Sequence, residues 1–484
     1  MVLKDVIRDV EVLHTEGPLD IDIKALTFDS RQVTPDSLFF CIEGLESDGH
    51  DYADAAISKG ARALVLSRDI NLADNITKIF VKKPRRALGP IASNFYGKPS
   101  QGLTLVGVTG TNGKTTTTYL IKSILDGSGI KAGLVGTIKN IIGDRDIPAV
   151  RTTPDPILLN RMIRDMTRED IKAVVMEVSS HALELDRVEG LSFETGVFTN
   201  LSQDHLDFHG SLDKYLESKK KLFSQSERAV INIDDEYGRQ ILKDLNCKVY
   251  TYGLEKDANI YAKDIDLNAQ GVGFSLCLPD KSSSYIRMGI PGLFSVYNGL
   301  AAATASYSLG QSIEAIKKGL EKVRTVAGRF ELLDTKTDYS VIIDYAHTPD
   351  GLQNILRTAR ALSKGRLILL FGCGGDRDRS KRPIMGKIAG VYSDFCIVTS
   401  DNPRSEDPMA IIEEILPGLR ASKCPYEIIE DRKQAIAYGL RICQKDDLLI
   451  LAGKGHETYQ ILGDRTIHFD EREIVADLLG REKV

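Results

Sequence analysis

The sequence has no run of about eighteen apolar residues, the least that a membrane-crossing helix needs, so membrane insertion is not expected. Its opening residues, MVLKDVIRDVEVL, carry acids inside the apolar stretch, unlike a secretory signal. Cysteine is sparse and unpaired. The seven are scattered without a C-x-x-C pair and their number is odd, which argues against a disulfide frame or a thiolate metal site and for reduced thiols in the cytoplasm. Basic tracts are missing and the net charge is −5, so nucleic acid is not expected as a partner. Without such tracts, any anion must be held by a local site. Long repeats and low-complexity tracts are also absent.

What is present is the composition of a globular protein, 42% hydrophobic and 27% charged, in a chain of 484 residues that is too long for one ordinary core. The first break in composition is the turn-rich FYGKPSQG, residues 95–102. Before it, ALTFDSRQVTPDSLFFCIEG reads as strands joined by turns, and DYADAAISKGARALVLS as a helix and a strand. From Leu103 onward strand and helix patterns alternate through TLVGVTG, KAGLVGT, ILLNRMIRDM, IKAVVMEVSS, ETGVFTNLS and RAVINID, which predicts a mostly parallel sheet covered by helices. A third section follows the helical SIEAIKKGLEKV. In it four apolar runs each end in a polar or glycine-rich loop: YSVIIDYAHTPD, RLILLFGCGGDRD, DFCIVTSDNPRSEDP and DLLILAGKGHE. Ligands of open parallel sheets bind beyond the carboxyl ends of the strands, so these loops should line one edge. The expected architecture is three α/β domains in series, over residues 1–101, 102–330 and 331–484.

Residues 106–117, VGVTGTNGKTTT, nearly form a phosphate-binding loop between a strand and a helix. The familiar spacing would place a glycine where Val108 stands. Backbone N–H groups at the start of the following helix would still converge on phosphate oxygens, with Lys114 on the β/γ-phosphates and the Thr115 hydroxyl on Mg²⁺. An acid from a neighbouring strand is then required, and Glu177 ends the apolar run of VVMEVSSHALELDRV; an acid so placed is equally often a helix cap. In TNLSQDHLDFHGSLDKYLESKKKLF, His205 and His209 stand four apart. The pattern lacks the glutamate of a zinc protease, and His205 reads better as a Mg²⁺ ligand or phosphate contact, His209 as structural.

TGTNGKTTT, MEVSSHAL, TNLSQDHLDFHGS, YNGLAA, AGRFE, DYAHTPD, DNPRSEDP and AGKGHE occur in this order from residue 109 to residue 457. The set resembles the ATP-dependent Mur ligases of bacterial peptidoglycan precursor synthesis, across essentially the whole chain. Those enzymes use a short G-x-x-G-K-T loop, which makes Gly110 and Gly113 the matching glycines. The resemblance implies a UDP-binding amino-terminal domain, a central P-loop ATPase and a Rossmann-like carboxyl-terminal domain that receives an amino acid. It also implies acyl-phosphate chemistry, in which positioning and charge stabilisation dominate. It assigns Gly110, Thr111, Asn112, Gly113, Lys114, Thr115 and Thr116 to ATP phosphates, and Asn298, Arg329 and Asp344 to adenine, phosphate and ribose. Mg²⁺ falls to Thr115, Glu177, His205 and Lys219, the last matching, four positions after Tyr215, a lysine carried as a carbamate. The nucleotide substrate, UDP-N-acetylmuramoyl-L-alanyl-D-glutamate, falls to Ser30, Thr152, Thr153, Ser179 and Arg187. Here the chain departs from the family, with Arg151 where an asparagine is usual.

Members differ in the amino acid they add, chiefly meso-diaminopimelate or lysine. Arg404 in DNPR marks the diaminopimelate type, since a planar guanidinium matches a carboxylate with two parallel hydrogen bonds. Arg377, Asp401, Asn402, Pro403, Gly453 and Glu457 complete the implied pocket. The partners expected are therefore small molecules, and the chain is expected to act as a monomer. Folylpolyglutamate synthase shares the ATPase core, but lacks such an amino-terminal domain and would not carry DNPR with GKGHE. A dinucleotide oxidoreductase finds weak support in FGCGGDRD, where position 377 is arginine instead of the third glycine. A non-catalytic nucleotide-binding scaffold would not need the full set of charged loops.

Overall fold

The computed structural model describes residues 1–44, 47–72, 76–268 and 270–480. Among the described residues, three sheets and a hairpin form a mixed α/β protein. The first sheet contains β1 (His14–Glu16), β2 (Ala25–Thr27), β3 (Ser37–Phe40), β4 (Ala61–Leu66) and β5 (Thr77–Phe80), ordered β1-β5-β4-β3-β2. β2 to β5 run parallel and β1 closes the edge antiparallel. One face packs Leu38, Phe40, Val65 and Ile79 against Leu88 and Ile91 of the helix Pro84–Phe95. The other packs Phe39, Leu64 and Leu66 against Ala53 and Ala56. With both faces covered, these strands are apolar at consecutive positions rather than alternate ones.

The second sheet has eleven strands: β6 (Thr104–Thr109), β7 (Ala132–Val135), β8 (Lys139–Ile142), β9 (Arg145–Pro148), β10 (Ala173–Glu177), β11 (Phe193–Phe198), β12 (Ser226–Asn232), β13 (Lys248–Gly253), β14 (Ile260–Asn268), β15 (Gly271–Cys277) and β16 (Ser283–Met288). Their order is β16-β15-β14-β13-β12-β11-β6-β10-β7-β8-β9. β10 lies parallel between β6 and β7, as alternation of strand and helix demands. Antiparallel wings extend both ends, β7-β8-β9 on one side and β14-β15-β16 on the other. The sequence reading did not anticipate these wings.

The third sheet contains β17 (Glu331–Leu333), β18 (Ser340–Asp344), β19 (Leu367–Phe371), β20 (Phe395–Val398), β21 (Tyr426–Ile428) and β22 (Leu448–Ala452), ordered β17-β18-β22-β19-β20-β21. β18, β22, β19 and β20 are parallel, so their carboxyl ends and following loops share one edge. LILLF and LLILA are buried at every position, as central strands require. A hairpin of β23 (Tyr459–Leu462) and β24 (Arg465–His468) follows β22.

By backbone proximity the chain divides into two units. The first comprises Met1–Thr109, Gly129–Gly196 and Ser218–Ala229; the second comprises Gly110–Ser128, Val197–Glu217 and Val230–Val484. Among the described residues no helix is long and apolar enough to cross a membrane.

Candidate active site

In the second unit, the phosphate loop leads into the helix Lys114–Gly127. Gly113 takes φ +86 just before it, and a Cβ there would lie 2.4 Å from the Asn298 side chain. A Cβ on Gly110 would lie 1.8 Å from the Thr199 hydroxyl. Neither position can hold a side chain without moving its neighbour, which is why the short loop keeps these two glycines. The loop is braced from TNLS: Asn200 accepts the Thr111 N–H on its backbone oxygen and the Asn112 N–H on Oδ1, both at 2.9 Å. The Thr199 hydroxyl donates to Asn112 O at 2.6 Å, and Asn112 Nδ2 donates to Asp350 at 2.8 Å. Lys114 Nζ donates to the loop's own Gly110 and Thr111 carbonyls at 2.9 and 2.8 Å, which holds the ammonium among the turns. Thr115 and Thr116 are buried on the first turn.

Arg329 donates from Nη2 to the Thr115 hydroxyl at 3.0 Å and lies over the Tyr345 ring at 4.7 Å. Its Nε is buried with no hydrogen-bond partner, an orphaned donor beside the phosphate loop. Asp344 accepts the Phe330 and Ala346 N–H groups at 2.6 and 2.7 Å. Burial raises its pKa, and both oxygens act first as a clip between the 328–330 turn and the loop after β18. His205 precedes the short helix Leu206–His209 at φ +54, with Nε2 3.2 Å from Asp204. His209 is buried with its ring 4.9 Å from that of Tyr215, a packing role.

Sequence reasoning passed over a charged cluster at Asp204, which is buried beside His205, with His347 and Lys381 each 3.9 Å away. Burial would raise the Asp204 pKa, but His205, His347 and the Lys381 ammonium together hold it down to about 2. His347 donates from Nδ1 to Tyr345 O at 2.8 Å, and burial pulls its pKa down to about 4. Positions 204, 347 and 381 stand in three separate segments; QDH and DYAHTPD carry the first two, but nothing in the sequence says that they meet Lys381.

In the first unit, Glu177 is 1% exposed at the end of β10. Its two oxygens accept the N–H and hydroxyl of Thr137, each at 2.8 Å. The Thr137 hydroxyl also lies within hydrogen-bond reach of that of Thr152, at 3.1 Å. The Thr153 hydroxyl donates to Glu177 O at 2.8 Å and accepts the Ser179 N–H at 3.1 Å, while Ser179 caps the helix Ser180–Glu184. Arg187 Nη1 donates to Thr153 O at 3.0 Å. Burial and the charge of Arg151 bring its pKa down to about 10. Four of the five residues assigned to the nucleotide substrate thus meet around Glu177. The fifth, Ser30, sits on the turn after β2 and shares no hydrogen bond with them among the described residues; its carbonyl accepts Lys59 Nζ at 3.0 Å. Lys219 is 1% exposed near the end of the helix Leu212–Lys220, whereas Lys220 and Lys221 are partly exposed and Lys221 pairs with Glu184 at 2.7 Å.

A separate group, Glu43, Asp48 and His50, lies close enough to hold a cation. The His50 ring is already satisfied, with Nδ1 on Asp48 at 2.6 Å and Nε2 accepting the Ser67 N–H at 3.2 Å.

On the shared edge of the third sheet, Arg404 takes φ +55, and its Nη1 donates to Gly375 O at 2.7 Å. Pro403, beside it, accepts the Glu406 N–H at 3.1 Å. Arg377 follows β19 on the facing loop. Burial and the charge of Arg377 lower the Arg404 pKa, and neither guanidinium has a carboxylate within 4 Å among the described residues. On the same edge, Asn402 Nδ2 donates to Glu457 at 2.9 Å, and the wholly buried Lys454 donates to both Asn402 and Glu457 at 3.1 Å. A Cβ on Gly453, at φ +115, would meet Asp401 at 2.4 Å. Burial, then Asp401, raises the Glu457 pKa. Lys454 was missed because a lysine between glycines in GKGHE reads as a solvated loop tip.

Three family models match: Mur ligase family, catalytic domain, over residues 22–96; Mur ligase middle domain, over 108–306; and Mur ligase, glutamate ligase domain, over 328–455. A UDP-N-acetylmuramoyl-L-alanyl-D-glutamate--2,6-diaminopimelate ligase of Caldanaerobacter subterraneus subsp. tengcongensis is 50% identical over the whole of both chains. The chain belongs to the Mur ligase family. A second relative, ligase 1 of that name in Clostridium acetobutylicum, is 48% identical over 99% of each chain. Among solved structures, a ligase of the same name aligns over 99% of each chain with a TM-score of 0.70 at 30% identity. As a Mur ligase, the chain carries its phosphate loop within the middle-domain match and Arg377, Asp401, Asn402, Arg404 and Gly453 within the glutamate-ligase-domain match.

Proposed function

We propose that this Mur ligase joins meso-diaminopimelate to UDP-N-acetylmuramoyl-L-alanyl-D-glutamate in an ATP-dependent amide synthesis that builds the peptidoglycan precursor. The observation that carries the choice of amino acid is the polarity of the third-sheet pocket. Arg377 and Arg404 present two guanidiniums with no carboxylate within 4 Å among the described residues, while Asp401 and Glu457 supply acids on the same sheet edge. Diaminopimelate offers a carboxylate and an ammonium at each end, and lysine lacks the second carboxylate. The relatives named above bear diaminopimelate in their names, which agrees.

In the reaction, a D-glutamyl carboxylate oxygen attacks the γ-phosphorus of ATP and ADP leaves. The amine of diaminopimelate then attacks the acyl carbon, loses a proton, and inorganic phosphate departs. The protein supplies orientation and charge. The Gly110–Thr116 segment and Lys114 hold phosphate oxygens, and the orphaned Arg329 Nε is a further donor for them. Asn298 and Asp344 are assigned to adenine and ribose, and Thr152, Thr153, Ser179, Arg187 and Ser30 to the nucleotide substrate. Mg²⁺ would be held by Thr115, Glu177, His205 and Lys219 as its carbamate, and when bound it offsets phosphate charge. This donor set suits a hard cation: Glu177 is oriented by Thr137, and Lys219, buried at 1% exposure, would as its carbamate add a second anionic oxygen ligand. The domains are taken as 1–101, 102–330 and 331–484. One chain carries every assigned residue, which supports a monomer acting on small molecules; the cytoplasm is the compartment of the nucleotide precursors assigned to it. The loop after β19 runs to residue 380 before the next helix opens at Lys381, unlike the tight strand-to-helix turn of a dinucleotide site.

Phosphate release with ATP, Mg²⁺ and the nucleotide dipeptide tests the reading. Release should require diaminopimelate and stay near background with lysine or without an amino acid. Equal release with lysine would remove the role given to the arginine pair.

A further inference from the structure

Arg432 lies outside every motif read from the sequence. It opens the helix Arg432–Ile442, and both it and its partner Glu471 are wholly buried. Nε donates to Glu471 Oε1 at 2.8 Å, Nη2 to Ala452 O at 2.8 Å, and Nη1 reaches Ser400 O at 3.5 Å. Ala452 ends β22 directly before Gly453, and Ser400 stands directly before Asp401. One planar guanidinium therefore links the two segments that enter the amino-acid pocket. The fit is close: a Cβ on Gly453 would lie 2.4 Å from Asp401 Oδ2 and 4.0 Å from Arg432 Nη2.

Stability alone does not account for this pair. Taking two charges out of water costs several kcal/mol, and well-packed apolar side chains often serve a fold as well or better. Glu471 Oε2 has no hydrogen-bond partner, so Glu471 acts as a counter-charge more than as a link. Only arginine can donate in three directions from one rigid plane.

We infer that Arg432 is a positioning residue for the amino-acid pocket, fixing the gap between the strand ends before Asp401 and Gly453 and placing a positive charge behind Asp401. This rests on the functional reading above. Asp401 is faced by Lys454 and Glu457 from the loop after β22, by Arg432, and by His347 and Tyr345 from the loop after β18. Arg404 further along Asp401's own loop, Cys373 after β19 and Tyr459 of the hairpin also act on it. Burial disfavours the Asp401 carboxylate, but Lys454 and then Arg432 overcome it and keep its pKa low.

The experiment compares Arg432→Lys and Arg432→Met in the full chain, with KM measured separately for diaminopimelate, ATP and the nucleotide dipeptide. KM for diaminopimelate should rise roughly ten- to a hundredfold in both, the usual loss when a group that orients a ligand-binding residue is removed. The other two KM values should stay within about twofold. In the Met variant the acid limb of kcat/KM for diaminopimelate should move to higher pH; the Lys variant, which keeps a charge, should hold the limb in place. An unchanged diaminopimelate KM, or a parallel rise in all three KM values with no movement of the limb, overturns the inference. If the Met variant fails to fold, the KM split in the Lys variant decides. Absence of turnover with diaminopimelate in the unsubstituted chain overturns the functional reading and this inference with it.

Discussion

At the scale of single residues, Arg404 keeps a partly desolvated charge on which another arginine, Arg377, acts more strongly than any acid. A ligand carboxylate satisfies it and lysine does not, so the side chain rejects one amino acid while accepting the other. Truncating one side of such a pair costs about 2–5 kcal/mol. Arg404→Ala should therefore lose diaminopimelate kcat/KM by roughly thirty- to several-thousandfold, with lysine turnover staying low, as amino-acid competition assays would read. Lys219 and Lys220 offer a second contrast, one buried and the next partly exposed. Lys219→Ala should lower phosphate release at saturating ATP by on the order of a hundredfold or more, the scale of one lost charge-stabilising group. Lys220→Ala should leave it within about twofold, as expected of a surface side chain. Equal losses would refute the assignment of the carbamate.

At the scale of elements, the phosphate loop is a turn in which packing forbids side chains at two points. Gly113→Ala adds a clash 2.4 Å from Asn298 to a left-handed backbone worth about 1–2 kcal/mol of strain in a residue with a Cβ. KM for ATP should rise and phosphate release fall by at least about tenfold, with far-ultraviolet circular dichroism unchanged because the strain is local. A variant with normal ATP kinetics would mean that the loop adjusts freely. How legible an element was followed from its burial. β19 and β22 are apolar at every position and stand out in the sequence. β9 is almost wholly exposed, and β16 buries only Ile286 and Met288, so neither gives an apolar run to read. The motif residues were legible because their order along the chain is shared with a family. Asp204 and His347 lie inside two of those motifs, but nothing local says that they meet each other and Lys381 from three distant segments; Arg432 carries no motif at all.

At the scale of the whole molecule, resistance to acid depends on carboxylates that folding holds ionised. Arg382 is wholly buried and bonded to Glu406 and Glu414. Its hydrogen bonds to Glu406 hold that carboxyl down to about 2, against an ordinary 4.5. The pair's contribution to stability is complete above pH 4.5 and is lost as pH falls toward 2. Melting temperature should fall more steeply across that window in the unsubstituted chain than in Glu406→Gln; identical slopes would show that the pair is energetically idle.

β22 lies between β18 and β19 in the third sheet, yet it follows both by many residues along the chain. A ribosome therefore releases β18 and β19 long before the strand that must separate them. Until Leu448–Ala452 emerges, each has an inner edge of unpaired backbone N–H and C=O groups, open to the wrong neighbour. Translation stalled before Leu448 would leave a nascent chain with its phosphate loop already made and the middle of its last sheet missing.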